Sequence, residues 1–244
     1  MKKGGFTLIE CLLGLALSLF VICTGLEFFV RAEKAFLRLK EREEAGQAAL
    51  AALDRMRIDL LHAGRGLSPE IGLGLVEAAE ATADELRTAS LEKELALAAD
   101  IHAGDTRLSL ASTTDIAAGQ QLALRQGKAG EVRTGVRVDA GAVVIDAPID
   151  RDYLREAASL ALIERVTYFL DGNARILRRR VNASPAQPLL EGAAGAAWSL
   201  EAAAHLVRIR LELDDAAVAD TTGVHPHEAT IFLKNPALAR NSGT

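Results

Sequence analysis

From Cys11 to Leu26 the chain reads CLLGLALSLFVICTGL, sixteen residues without a charge, and no proline occurs before Pro69. A helix built from such a run is apolar all round and has no polar face to turn to water. Alone it is just short of a bilayer-spanning helix; adding Phe6 to Ile9 and Phe28 to Val30 reaches membrane length but takes in Glu10. A carboxylate near the middle of a bilayer costs about 2.5–3.5 kcal/mol on insertion scales, and such residues usually mark function. Glu10 therefore needs a cation. Lys2 and Lys3 are the nearest in the intact chain. A cut between Gly5 and Phe6 would supply the Phe6 amino group instead, about one helical turn away or on a neighbouring copy of the helix. A salt link between copies would set axial register in a polymer.

Past Val30 the apolar positions thin to a stripe, Ala32, Phe36, Leu39, Ala49, Leu53, Met56 and Leu60, at spacings of three, four or small multiples. Between them lie Glu, Arg, Lys, Gln and Ala, all good helix formers. The pattern predicts one helix from Phe6 to about His62, roughly 55 residues and on the order of 80 Å long. Residues 6–30 are its apolar half and 31–62 its amphipathic half. Ala63-Gly64-Arg65-Gly66 supplies the stop, with glycine for a left-handed cap. Gly14 and Gly25 are weak points in the apolar half.

Residues 63–244 read as a β-rich head. The stretch from Ala78 to Ala99 is helical by composition, with Asp84 to Thr88 open as a strand. Strands are expected at Arg107 to Leu110, Gln121 to Arg125, Val132 to Val138 and Ala142 to Ile145, separated by glycine-bearing turns, as a small antiparallel meander or partial barrel. The clearest hairpin joins Arg165 to Leu170 with Arg175 to Arg180 through Asp171-Gly172-Asn173. Leu206 to Leu213 alternates as a half-buried strand, and Thr230 to Leu233 is another. The fold class is thus α+β, a long N-terminal helix packed on an antiparallel head.

The chain has 244 residues, half of them apolar, enough for a real core, and a formal charge of −5. Loss of Lys2 and Lys3 would leave −7. An acidic chain is a poor partner for nonspecific nucleic-acid binding. Both cysteines, Cys11 and Cys23, lie in the apolar run, roughly 18 Å apart along a helix, too far to pair within one chain.

Lys2-Lys3-Gly4-Gly5 followed by Phe6-Thr7-Leu8-Ile9-Glu10 resembles the class III signal of type IV prepilins and of type II secretion pseudopilins. The resemblance implies that a prepilin peptidase cuts after Gly5 and methylates Phe6, and that Glu10 neutralises the amino terminus of an adjacent subunit during assembly. Residues 1–5 would be the leader. A secretory signal peptide would need small residues after the apolar run, where Glu27-Phe28-Phe29-Val30-Arg31 stands. Neither Cys11 nor Cys23 follows the small residues of a lipoprotein signal. A plain signal anchor is the minor reading. Arg31, Lys34, Arg38, Lys40 and Arg42 follow the segment, so the positive-inside count opposes this topology and the leader motif sets it.

Gly104-Asp105-Thr106, Ala118-Gly119-Gln120, Val166 to Leu170 before Leu177-Arg178-Arg179, and the closing Phe232-Leu233-Lys234-Asn235-Pro236 resemble the PilW family of minor pilins. The J-type pseudopilin of type II secretion is the alternative. The resemblance implies a type IV pilin-like fold and a minor pilin that primes assembly or sits near the tip of a type IV pilus. It further implies a single inner-membrane span in the lipid bilayer with the head in the periplasm. Its implied partners are prepilin peptidase, other minor and major pilins and the inner-membrane assembly platform.

No catalytic arrangement emerges: there is no Gly-x-Ser-x-Gly elbow, no P-loop, and no cysteine outside the apolar run. The chain is read as non-enzymatic, without cofactor or metal; a membrane-anchored periplasmic enzyme is the more distant alternative. His225-Pro226-His227-Glu228 offers imidazoles and a carboxylate but no placeable third ligand, and reads as a polar loop. Asp214, Asp215 and Asp220 lack a calcium-loop pattern. Arg175, Arg178, Arg179 and Arg180, with Arg208 and Arg210, would form a basic patch if gathered on one surface, and are read as surface and interface residues.

Overall fold

The computed structural model describes residues 8–213 and 226–235, which form an α+β protein. Helix α1 spans Leu8–His62, 55 residues without a break at Gly14 or Gly25. The described residues divide into two compact units, 8–47 and the remainder from 48 onward. The first unit is helix throughout.

In the second unit the last turns of α1 bury Ala49, Ala52, Leu53, Met56 and Leu60, spaced by three or four so that they share one face. Met56 and Leu60 are fully buried, a contribution of about 1.5–3 kcal/mol each, whereas Leu50 and Ile58 on the other faces stay exposed. Ala32 is also exposed, as are Phe36 and Leu39, so the expected stripe becomes buried only from Ala49. The helix stops where its glycines allow. Gly64 (φ 73°) and Gly66 (φ 75°) turn left-handed, and the Gly64 amide donates to the Ala89 carbonyl at 2.7 Å. A one-turn helix, α2 (Ser68–Gly72), follows, with Pro69 in its first turn, where a missing N–H is harmless.

Twelve strands follow among the described residues: β1 (Ala79–Ala81), β2 (Glu85–Leu95), β3 (Arg107–Ser109), β4 (Gln121–Gln126), β5 (Ala129–Asp139), β6 (Ala142–Ile145), β7 (Ser159–Asp171), β8 (Ile176–Val181), β9 (Gln187–Glu191), β10 (Ala193–Glu201), β11 (Leu206–Leu213) and β12 (Pro226–Phe232). The larger sheet runs β1-β2-β7-β4-β5-β6-β3, with β8 on β7 and β9 on β8; the smaller is β10-β11-β12. The paired strands are antiparallel throughout.

β7 organises the larger sheet. Its sequence, SLALIERVTYFLD, is rich in β-branched, aromatic and aliphatic residues, as suits a strand covered on both faces. One edge pairs with β2 along its length, from Glu85 opposite Phe169 to Leu95 opposite Leu160. The other edge is shared: β4 takes Ser159 to Ile163 and β8 takes Val166 to Asp171. The sheet forks at Glu164-Arg165. There Asn182 (φ 50°) stands in for a strand: its amide donates to the Arg165 carbonyl and its Oδ1 accepts from the Arg165 amide, both at 2.7 Å.

Two hydrophobic clusters result. The first joins Met56 and Leu60 to Leu86, Val166, Tyr168 and Leu177, and takes in Val207, Ile209 and Leu211 from the smaller sheet. The second holds Ile101, Leu108, Leu122, Leu124, Val143, Tyr153, Leu160 and Leu162. In β11 the alternation is as its sequence predicts, with Val207, Ile209 and Leu211 buried and Arg208 and Arg210 exposed. The single tryptophan, Trp198 in β10, donates its indole N–H to the Thr82 carbonyl at 2.7 Å.

Candidate functional site

The apolar half of α1 is long and apolar enough to cross a membrane, and none of its best window is buried within the chain. Leu8 is 81% exposed and Phe29 72% exposed, so this surface is covered by nothing in the described protein. The hydroxyls of Ser18 and Thr24 are matched to an apolar medium. Ser18 Oγ donates to the Leu15 carbonyl at 2.9 Å, and Thr24 Oγ1 reaches the Phe20 and Val21 carbonyls at 3.0 Å. Hydroxyls turned back on their own helix present no unsatisfied donor to lipid. The charged boundary begins with Glu27, whose Oε1 accepts from Arg31 one turn on at 2.6 Å. Cys11 and Cys23 are free thiols on the exposed helix surface.

Glu10 lies in the first turn of α1 and is exposed. Gly5 and Phe6 lie outside the described residues. So do Asp214, Asp215, Asp220 and His225. His227 and Glu228 are in β12, opposite Leu211 and Arg210, and no group of three metal-ligating side chains occurs among the described residues.

The arginines singled out from the sequence separate onto two sheets and mostly find carboxylates. Arg178 donates to Asp171 at 3.0 Å, and Arg179 turns inward to Asp59 at 2.7 Å. Arg208 pairs with Glu201 at 3.1 Å and Arg210 with Glu212 at 3.0 Å. Arg175 occupies the β7–β8 turn with φ 53°. Arg180 differs: its nearest carboxylate, Glu85, is 3.8 Å away, and its guanidinium lies 5.4 Å from the centre of the Phe169 ring.

Two buried clasps were not singled out from the sequence. In the first, Asp59 of α1 accepts from the Tyr168 hydroxyl and from Arg179 Nε, with Arg55 a turn away at 3.5 Å. Tyr168 and Arg179 are cross-strand neighbours on β7 and β8, so one carboxylate ties the end of α1 to two strands. The signal was present: Asp59 stands between Met56 and Leu60 on an apolar helix face, where a carboxylate must be paired. In the second clasp Glu131 accepts from the Tyr153 hydroxyl at 2.9 Å, from Arg133 at 2.5 Å and from the Asp150 amide at 3.1 Å. Nothing in the alternation of β5 sets Glu131 apart.

These two tyrosines are the only ones in the chain and both are fully buried. Burial, then the charge and hydrogen bond of Asp59, push the Tyr168 phenol well above its ordinary value. Burial, then the hydrogen bond to Glu131, do the same to Tyr153. For Arg179 burial works against the charge, but Asp59 outweighs it and holds the guanidinium above its usual range. A phenol whose folded pKa is raised favours the fold fully below its unfolded pKa of about 10, and that contribution is lost as the pH rises above it. The expected result of an alkaline titration is no phenolate absorbance while the protein stays folded. Stability should fall by about 1.4 kcal/mol per pH unit for each tyrosine beyond about pH 10. Phenolate appearing near pH 10 without loss of the Trp198 environment would contradict these clasps.

No protein-family model matches the chain, and no curated protein does. Among solved structures, the tailspike of Pseudomonas phage phi297 is 20% identical over 30% of this chain and 14% of its own, with a TM-score of 0.28. The tailspike of Acinetobacter baumannii bacteriophage AP22 is 16% identical over 32% of this chain and 15% of its own, at 0.27. That of Pseudomonas phage LKA1 is 21% identical over 30% and 14%, at 0.28. The chain spans about a seventh of the length of each.

Proposed function

We propose that this protein is a minor subunit of a type IV pilus, anchored by α1 in the inner membrane with its β-rich head in the periplasm until it enters the filament. The observation that carries the reading is the unbroken helix Leu8–His62, whose apolar half is exposed along its length while its last turns are built into a folded head. A membrane anchor needs only an apolar segment of membrane length. A filament subunit needs that segment to leave lipid for a bundle of identical helices, and a helix that is apolar on all sides can be buried in either. The leader Lys2-Lys3-Gly4-Gly5 and the sequence Phe6 to Glu10 supply the chemistry of that passage. Cleavage after Gly5 frees the Phe6 amine, methylation keeps it cationic, and Glu10 of a neighbour neutralises it where water is scarce.

The test is the mature amino terminus, determined by mass spectrometry on protein from its native envelope. The expected species begins at N-methylated Phe6. Membrane-resident protein that retains Met1 would overturn the reading in favour of a signal anchor.

A further inference from the structure

We propose that the cleft at the fork of β7 binds an oxyanion, a phosphate or carboxylate carried by a small molecule. The cleft is open, about 600 Å3, and walled by Arg87, Arg165 and Arg180 together with Thr167 and the turn 182–186. That volume suits a small organic ligand. Among the described residues no carboxylate lines it, although the chain as a whole is acidic.

Strand register gathers the three guanidinia. Arg87 on β2 and Arg180 on β8 both lie directly opposite Thr167 on β7, one on each side. Arg165 lies two residues from Thr167 and so on the same face, beside Ala89. The side chains between the arginines are small, so nothing fills the space their long stems enclose. The fork explains why the space is open at all, since β4 has left β7 and β8 has just begun.

The three cations are unequally committed. Arg87 already donates to Glu85 at 2.8 Å and lies 3.4 Å from Glu80. Among the described residues Arg180 has only the distant Glu85 and the face of Phe169. Arg165 is half-buried, yet among the described residues its guanidinium has no hydrogen-bond or ion-pair partner. Burial and the neighbouring charge of Arg87 both weaken its hold on its proton, with Glu80 only partly opposing them. Half-buried charges in proteins are ordinarily paired. Here Arg87 sets like charge beside Arg165, Glu80 opposes it from the adjoining cleft without a hydrogen bond to it, and a direct acceptor is left to come from outside. A guanidinium fork recognises phosphate and carboxylate oxygens two at a time.

The far wall is fixed. Asn182 is held by its two hydrogen bonds to Arg165, and the Ser184 amide donates to the Val181 carbonyl at 3.0 Å. Ala183 packs where Gly119 (φ 86°) has no side chain; a Cβ at Gly119 would come within 2.3 Å of it. The cleft is therefore pre-shaped and pays little ordering entropy on binding.

The inference does not depend on the protein's being a filament subunit. The full chain in detergent micelles is titrated with pyrophosphate and with citrate at constant ionic strength, and its melting is followed through Trp198. One or both should raise the melting temperature by about 5–10 °C at a hundredfold excess over the dissociation constant. Response to pyrophosphate alone assigns a phosphate, and to citrate alone a carboxylate. Arg165→Met should melt no lower than the native chain without ligand, because it removes a repelled charge, and should lose the shift. Arg155→Gln, away from the cleft, should keep it. Absence of a shift and of calorimetric heat with both anions overturns the site, as does an undiminished shift in Arg165→Met. If Arg165→Met does not fold, Arg180→Gln serves: weakening of about tenfold supports the site, and unchanged affinity overturns it.

Discussion

Asp59→Ala should lower the stability of the head by about 3–5 kcal/mol, more than any exposed substitution in it. The size of the effect comes from what is left behind. Arg179, whose side chain is 13% exposed, would lose the carboxylate it donates to, and the fully buried Tyr168 hydroxyl would lose its acceptor. Tyr168→Phe removes a single hydrogen bond and leaves the ion pair intact, so about 0.5–1.5 kcal/mol is expected. Pairing Asp59→Ala with Arg179→Met removes both charges and should recover a large part of the loss. Urea unfolding of the full chain in detergent, followed by Trp198 fluorescence, separates these cases through a lower midpoint at constant slope. If Asp59→Ala costs less than about 1 kcal/mol, or the double variant is worse than the single, the clasp is not what fixes the end of α1 to the sheet.

Glu10→Ala should leave the protein membrane-resident and folded but reduce its entry into filaments by roughly a hundredfold or more. Under the reading proposed above, the alanine strands a neighbour's Phe6 ammonium in an apolar bundle. Leaving one such charge unpaired costs about 3 kcal/mol or more, and each 1.4 kcal/mol is tenfold in an equilibrium. Glu10→Gln should be nearly as poor, since it can accept a hydrogen bond but cannot neutralise the charge. Quantifying the variant and a co-expressed native copy in sheared filaments and in membranes gives the ratio directly. Equal incorporation of the two would end the assembly role for Glu10, while leaving the membrane anchor untouched.

The long helix, its stop after His62 and several strands were legible because each rests on local chemistry. Glycine at 64 ends the helix as its freedom at positive φ predicts, and β6 and β11 fall on Ala142–Ile145 and Leu206–Leu213 as their apolar patterns indicate. Asp171-Gly172-Asn173 does open the β7–β8 hairpin. What escaped depends on distant partners. Glu85–Leu95 has helix-forming composition, but ten of its residues pair across β7, and that ladder overrides propensity. β10, AAGAAWSLE, lacks alternation and becomes a strand by pairing with β11. β9 contains Pro188, which argues against a central strand, and among the described strands it pairs with β8 alone.

At the site the division is similar. The run from Glu10 through Val30 announces itself because a span of membrane length is written in one continuous segment. The first clasp and the arginine cleft assemble from α1, β2, β7 and β8, the second clasp from β5 and the segment before β7, and no spacing within a single segment records that Arg87, Thr167 and Arg180 share a row.

The position of β7 also dictates the order of events at the ribosome. β2 and β4 are both made before β7, yet each needs it as a hydrogen-bonding neighbour, and β8, which completes the fork, comes later still. Until residue 171 has emerged, the larger sheet lacks the strand that joins β2 to β4. The apolar half of α1 precedes the head in the chain and makes its helical hydrogen bonds locally. The head is thereby an assembly of long-range pairings that closes late, whereas the helix ahead of it forms from local hydrogen bonds alone.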